Sequence, residues 1–81
     1  MLRDVVAVRP SGGSRLWLRF DDGVEGEVDV SRLIAFDGVF EPLRDPRVFS
    51  AVSVNRDLGT IVWPNGADLD PMGLYEHVSR G

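Results

Sequence analysis

Ser14-Arg15-Leu16-Trp17-Leu18-Arg19-Phe20-Asp21-Asp22-Gly23-Val24-Glu25-Gly26-Glu27-Val28-Asp29-Val30 reads as two alternating segments around a turn. Leu16, Leu18 and Phe20 fall on one face of the first, and Arg15, Trp17 and Arg19 on the other. The second sets Val24, Gly26, Val28 and Val30 against Glu25, Glu27 and Asp29. A two-residue loop at Asp22-Gly23 would pair Leu18 with Glu27 and mix the faces. A three-residue loop with a left-handed Gly23 pairs Phe20 with Val24 and Leu16 with Val28. It also sets Arg19 opposite Glu25, Trp17 opposite Glu27 and Arg15 opposite Asp29. A one-residue slip would undo this sorting, so the hairpin has one register.

Outward from this hairpin, Asp4 to Arg9 is a β-branched strand closed by Pro10, and Ser11-Gly12-Gly13 is a turn. Ser31 reads as the N-cap of a helical turn through Ile34. Phe36 to Leu43 reads as irregular, broken by Gly38 and Pro42, with Phe36, Val39, Phe40 and Leu43 plugging the core. Asp45-Pro46 is a cap followed by proline at the first helical position, opening a helix to about Ser50. Ala51 to Val54 and Thr60 to Trp63 form a second hairpin around the Asn55–Gly59 turn, joined to the first in one antiparallel sheet. Asp70-Pro71 repeats the cap signal. Pro71, Leu74, Tyr75 and Val78 then recur at helical spacing, with Arg80 and Gly81 at the helix end. The expected fold is α+β: about five strands in two hairpins, short helical turns between them and a C-terminal helix.

The chain has 81 residues, and the expectation is one domain over 1–81. A domain of this size buries about 60% of its unfolded surface, which leaves little for a deep catalytic pocket. No apolar run approaches the roughly 20 residues of a membrane span, and Met1-Leu2-Arg3-Asp4 opens no signal peptide. A cytoplasmic protein is expected. The absence of Cys excludes disulfides, thiolate nucleophiles and Cys-based zinc sites. The net charge of −4 argues against a broad phosphate-binding surface and for a basic partner. All nine basic residues are Arg, which fits a GC-rich genome or a surface built for bidentate contacts.

The sequence supplies no catalytic constellation. His77, the only His, has neither an orienting partner nor a nucleophile near it in sequence. Ser31 and Ser50 are cap and turn residues. Asn65, Asp68 and Asp70 supply oxygen at close spacing. Their order does not match a calcium loop, Asn65-Gly66 suits a turn and Asp70 a cap, so no metal or cofactor is expected. Two surfaces stand out for a partner protein. One is the Trp63-Pro64-Asn65-Gly66 corner with Asp68, where Pro64 is expected to stop strand pairing. Either it is a rigid contact loop, or Trp63 is core and the loop merely connects. The other is Arg15, Trp17 and Arg19. Trp17 is either cover for the sheet, shielded by the last helix, or an aromatic anchor flanked by Arg, residue types enriched at interface hot spots. Glu25, Glu27 and Asp29 face the same stripe and would repel the phosphates of a nucleic acid.

Together DVVAVRP, LRFDDGVEGEVDVS, FEPLRDP and GTIVWPNGADLDPxxLY resemble a small bacterial family of unknown function, number 2442. The resemblance covers Asp4 to about Val78, and Gly59–Tyr75 is its specific part. It implies a compact α+β domain with an antiparallel or mixed sheet and no established enzymatic activity. It also implies a gene neighbour that encodes another small domain, in an arrangement like a toxin–antitoxin pair. Some relatives add a C-terminal helix-turn-helix. With the sequence ending at Gly81, direct DNA reading by such a module is not expected. The expected function is a small protein-binding module, the antitoxin or accessory member of such a pair. The alternative is a transcriptional regulator acting through a partner or a dimer.

Overall fold

The computed structural model describes residues 4–79. Five strands form two antiparallel sheets. The order is β1-β2-β3 in the larger one, with β1 Val5–Gly12, β2 Arg15–Phe20 and β3 Glu25–Asp29. The smaller pairs β4 Ser53–Asn55 with β5 Thr60–Val62. Two helices follow chain order, α1 Pro46–Phe49 and α2 Pro71–Ser79.

The β2–β3 register matches the face argument: Leu16 opposite Val28, Trp17 opposite Glu27 and Arg19 opposite Glu25. The Phe20 N–H donates to the Val24 carbonyl at 2.8 Å, and Gly23 takes φ 89°, closing the three-residue loop. Leu16, Leu18, Phe20, Val28 and Val30 are buried. This inner strip packs with Ile61, Trp63, Leu74 and Val78 in one core.

The second hairpin does not continue the first sheet. Among the described residues, one backbone hydrogen bond joins it to β1, Val5 N–H to the Gly59 carbonyl at 2.9 Å. Gly59 is buried with φ 69°, and a Cβ there would collide with the Asp4 carboxylate. Strand β1 also runs past Pro10, which sits opposite Leu16. Leu16 turns its backbone groups toward β3, so the donor missing from Pro10 faces away from the ladder. The first turn accordingly narrows to Gly13-Ser14, with Gly12 opposite Arg15.

Local departures have local causes. The 3-10 turn Val30–Arg32 is capped by Asp29 rather than Ser31, because the Asp29 carboxylate reaches the Ser31 N–H at 3.0 Å. Gly38–Arg44 is a continuous 3-10 stretch rather than irregular chain. Its threefold repeat puts Phe40 and Leu43 on one side and Val39 on another. Leu43 is buried, Phe36 and Phe40 pack against the core, and Val39 stays exposed. Both Asp-Pro starts behave as expected: Asp45 accepts from Arg47 N–H at 2.9 Å, and Asp70 from Met72 N–H at 3.2 Å. Arg80 and Gly81 lie outside the described residues.

Candidate functional site

The outer face of the larger sheet gathers Arg15, Trp17 and Arg19 as strand alternation requires. β1 adds Arg9, opposite Trp17 in the ladder. The Arg9 guanidinium carbon lies 4.5 Å from the Trp17 ring centroid, a cation–π stack. Trp17 is half-buried, while Arg9, Arg15, Arg19, Glu25 and Glu27 are exposed. Arg19 Nε pairs with Glu25 Oε2 at 3.1 Å. The last helix does not shield Trp17, because α2 packs on the opposite face. Gly26 meets Val78 there, and Phe20 meets Tyr75 edge-to-face at 5.0 Å between centroids. Arg9 is the member that the sequence pattern missed. Its only signal is its place beside Pro10, where the strand is expected to end.

Arg15 stands opposite Asp29, but the carboxylate is engaged elsewhere. Ser14 Oγ–H donates to it at 2.6 Å and Ser31 Oγ–H at 2.7 Å. These bonds, that of Ser14 foremost, hold the Asp29 pKa below the ordinary carboxylate value. The serine hydroxyls here tie strand ends together.

The Trp63 corner is built differently. Trp63 is 2% exposed, and its Nε1–H donates to the Phe49 carbonyl at 2.9 Å. Pairing does not stop at Pro64. The Trp63 N–H donates to the Ala67 carbonyl at 2.9 Å, and Val62 bridges to Asp68 beyond it. Pro64 lies inside the turn, where its missing donor costs nothing. Gly66, at φ 89°, donates back to the Trp63 carbonyl at 2.9 Å, as Gly23 donates to Phe20 at 3.0 Å. The same loop therefore occurs twice, once as Phe-Asp-Asp-Gly-Val and once as Trp-Pro-Asn-Gly-Ala. Even the side-chain clasp repeats. Asp22 accepts from Val24 N–H at 3.0 Å and Asn65 from Ala67 N–H at 3.2 Å. Asn65 also donates to the Val39 carbonyl at 2.8 Å, fastening the loop to the 3-10 stretch. Asp68 alone of the three keeps an exposed side chain without a structural bond among the described residues.

An open groove of about 410 Å³ lies between the Gly13-Ser14 turn and α1, with Phe36, Leu43 and Phe49 in its lining. Such a groove can accept an apolar side chain, and neither a His nor a carboxylate borders it. Among the described residues no group of three His, Asp or Glu converges as a metal site. His77 is exposed on α2. Among those residues no helix is long and apolar enough to cross a membrane.

The family model for a protein of unknown function, DUF2442, matches residues 5–79. The chain belongs to the DUF2442 family. The match spans both sheets and α2, so the outer face and the Trp63 corner both belong to the DUF2442 domain. No curated protein and no solved structure matches the chain.

Proposed function

We propose that this DUF2442 chain is a protein-binding module that works through the outer face of its larger sheet. The observation that carries this reading is the half-buried Trp17 under the Arg9 guanidinium, flanked by Arg15 and Arg19, on the face opposite α2. A large ring with a polar edge and rigid neighbours loses little entropy on binding, and Trp and Arg are enriched at interface hot spots. The acidic balance of −4 suits a basic protein partner better than a polyanion. The role of antitoxin or accessory member in a toxin–antitoxin-like pair extends this reading, with the product of an adjacent gene as partner. Lack of Cys suits a reducing cytoplasm.

The test is co-expression of the tagged chain with the adjacent gene's product. Trp17→Ala should leave the melting curve nearly unchanged and weaken the complex tenfold or more, about 1.4 kcal/mol. A folded Trp17→Ala variant that retains the partner in full would remove the outer face from the account. Salt-sensitive binding to random duplex DNA at physiological ionic strength would instead favour a regulator.

A further inference from the structure

The larger sheet has two edges, and they are treated differently. β1 carries two register shifts, between Val5 and Ala7 and between Pro10 and Gly12. It also contains Pro10 and spends its Val5 N–H on Gly59. Bulges, proline and a neighbouring loop are the usual ways to close an edge to further strands. Among the described residues β3 carries neither a bulge nor a proline, and no loop is hydrogen-bonded along its outer side. Its five-residue ladder with β2 is unbroken from Glu25 to Asp29.

The direction of its backbone groups follows from the bonds at both ends. Phe20 N–H reaches the Val24 carbonyl at 2.8 Å, and Val30 N–H reaches the Ser14 carbonyl at 2.8 Å. In an antiparallel ladder hydrogen-bonded residues alternate, so Val24, Gly26, Val28 and Val30 face β2. The backbone groups of Glu25, Glu27 and Asp29 therefore point out of the sheet. Among the described residues none of the three has a backbone partner on that side. Helix α2 packs against β3, with Val78 beneath Gly26 on the core face.

We propose that the free edge of β3 accepts an extended segment of a basic partner protein, which adds a fourth strand and sets Arg or Lys at alternate positions beside Glu25 and Glu27. This rests on the protein-binding reading above and names the partner's chemistry. Strand addition draws affinity from the main-chain ladder and specificity from alternate side chains. A cation opposite Glu27 is a favourable cross-strand neighbour, and one beside Glu25 shares that carboxylate with Arg19, whereas like charges there are unfavourable. A second copy of this chain is thereby disfavoured. Pairing β3 with itself about Glu27 sets Glu27 against Glu27 and Glu25 against Asp29. The acidic edge is closed to its own kind and open to a basic strand.

The test uses the isotope-labelled full chain and a nine-residue peptide alternating Arg and Thr. A peptide of the same composition with its Arg clustered at one end is the control. The alternating peptide should slow amide hydrogen exchange of Glu25, Glu27 and Asp29 at least tenfold. The clustered peptide should bind at least tenfold more weakly, and Glu27→Gln, at an exposed position, should weaken the alternating one. Unprotected outward amides at millimolar peptide, or equal binding of both peptides, would overturn the proposal. So would protection of these amides by protein concentration alone, the mark of a self-paired edge. If the Trp17 indole signal moves while the edge amides stay unprotected, the edge inference fails and the outer-face reading stands. Protected edge amides with a stationary Trp17 uphold the inference and count against the face.

Discussion

Trp63 and Trp17 are the two tryptophans of the chain, and the fold uses them in opposite ways. Trp63 is buried, tilted against Phe49 at 5.9 Å, and its indole N–H is bonded to a backbone carbonyl. Trp17 is half-buried on an outer face, with a guanidinium as its cover. Each neighbours residues that a sequence reading would flag for binding, Asn65 in one case and two Arg in the other. The difference lies in satisfaction. Around Trp63, the indole and the Asn65 amide both have partners within the fold. Around Trp17, the half-buried ring stacks under Arg9, and Arg9, Arg15 and Arg19 stay exposed, Arg19 in an exposed ion pair with Glu25. Polar groups satisfied inside the core fix a structure, whereas solvent-exposed aromatic and cationic surface can still give energy to a complex.

The contrast is broken most directly by mutation. Trp63→Ala should destabilise by about 3–5 kcal/mol through cavity formation, and denaturant titration measures it. If Trp17→Ala cost as much, the two rings would have the same role and the distinction would fail. Next in size, Asn65→Ala should cost about 1–3 kcal/mol, because it removes two hydrogen bonds that hold the corner. Asp68→Ala should be nearly silent in the same titration. Equal costs would show that the corner is not held by Asn65.

The repeated loop sharpens the comparison further. Gly23 and Gly66 share φ 89°, and a Cβ on either would meet open space. Only backbone strain separates them from Ala, so both substitutions should cost about 1–2 kcal/mol and match each other. A large inequality in thermal melts would mean that the two turns differ in more than their surroundings.

The smallest effect concerns Asp29, beside the Trp17 face. Its folded pKa is depressed, so its contribution is present above the ordinary carboxylate value and is lost as pH falls through the folded one. Asp29→Asn should therefore be less stable than the parent at neutral pH, and the gap should close on acidification. A gap that persists unchanged in strong acid would show that the Ser14 and Ser31 bonds do not depend on charge.

The β2–β3 register is legible in the residues alone, because sorting the faces of two alternating strands allows one answer. Both Asp-Pro caps are legible too, since the motif satisfies its own orphan donors. The Trp63 turn is half legible: Asn65-Gly66 signals it, but the continued pairing past Pro64 does not show, because Val62 and Asp68 lack an alternating flank. The separation of the two sheets depends on where β1 meets Gly59, a contact between residues far apart in sequence. Arg9 over Trp17 is hidden for a related reason. The bulges in β1 shift its register, and no local pattern reports which residue lands opposite the ring.

The central claim is that Trp17, and not Trp63, meets the partner. Both indole N–H signals of the unmutated, isotope-labelled chain can be followed by NMR as the adjacent gene's product is added. The signal of the half-buried Trp17 should shift or broaden on complex formation. The Trp63 signal, locked to the Phe49 carbonyl, should stay in place. A complex that forms while Trp17 is unmoved, or that moves Trp63 alone, would contradict it.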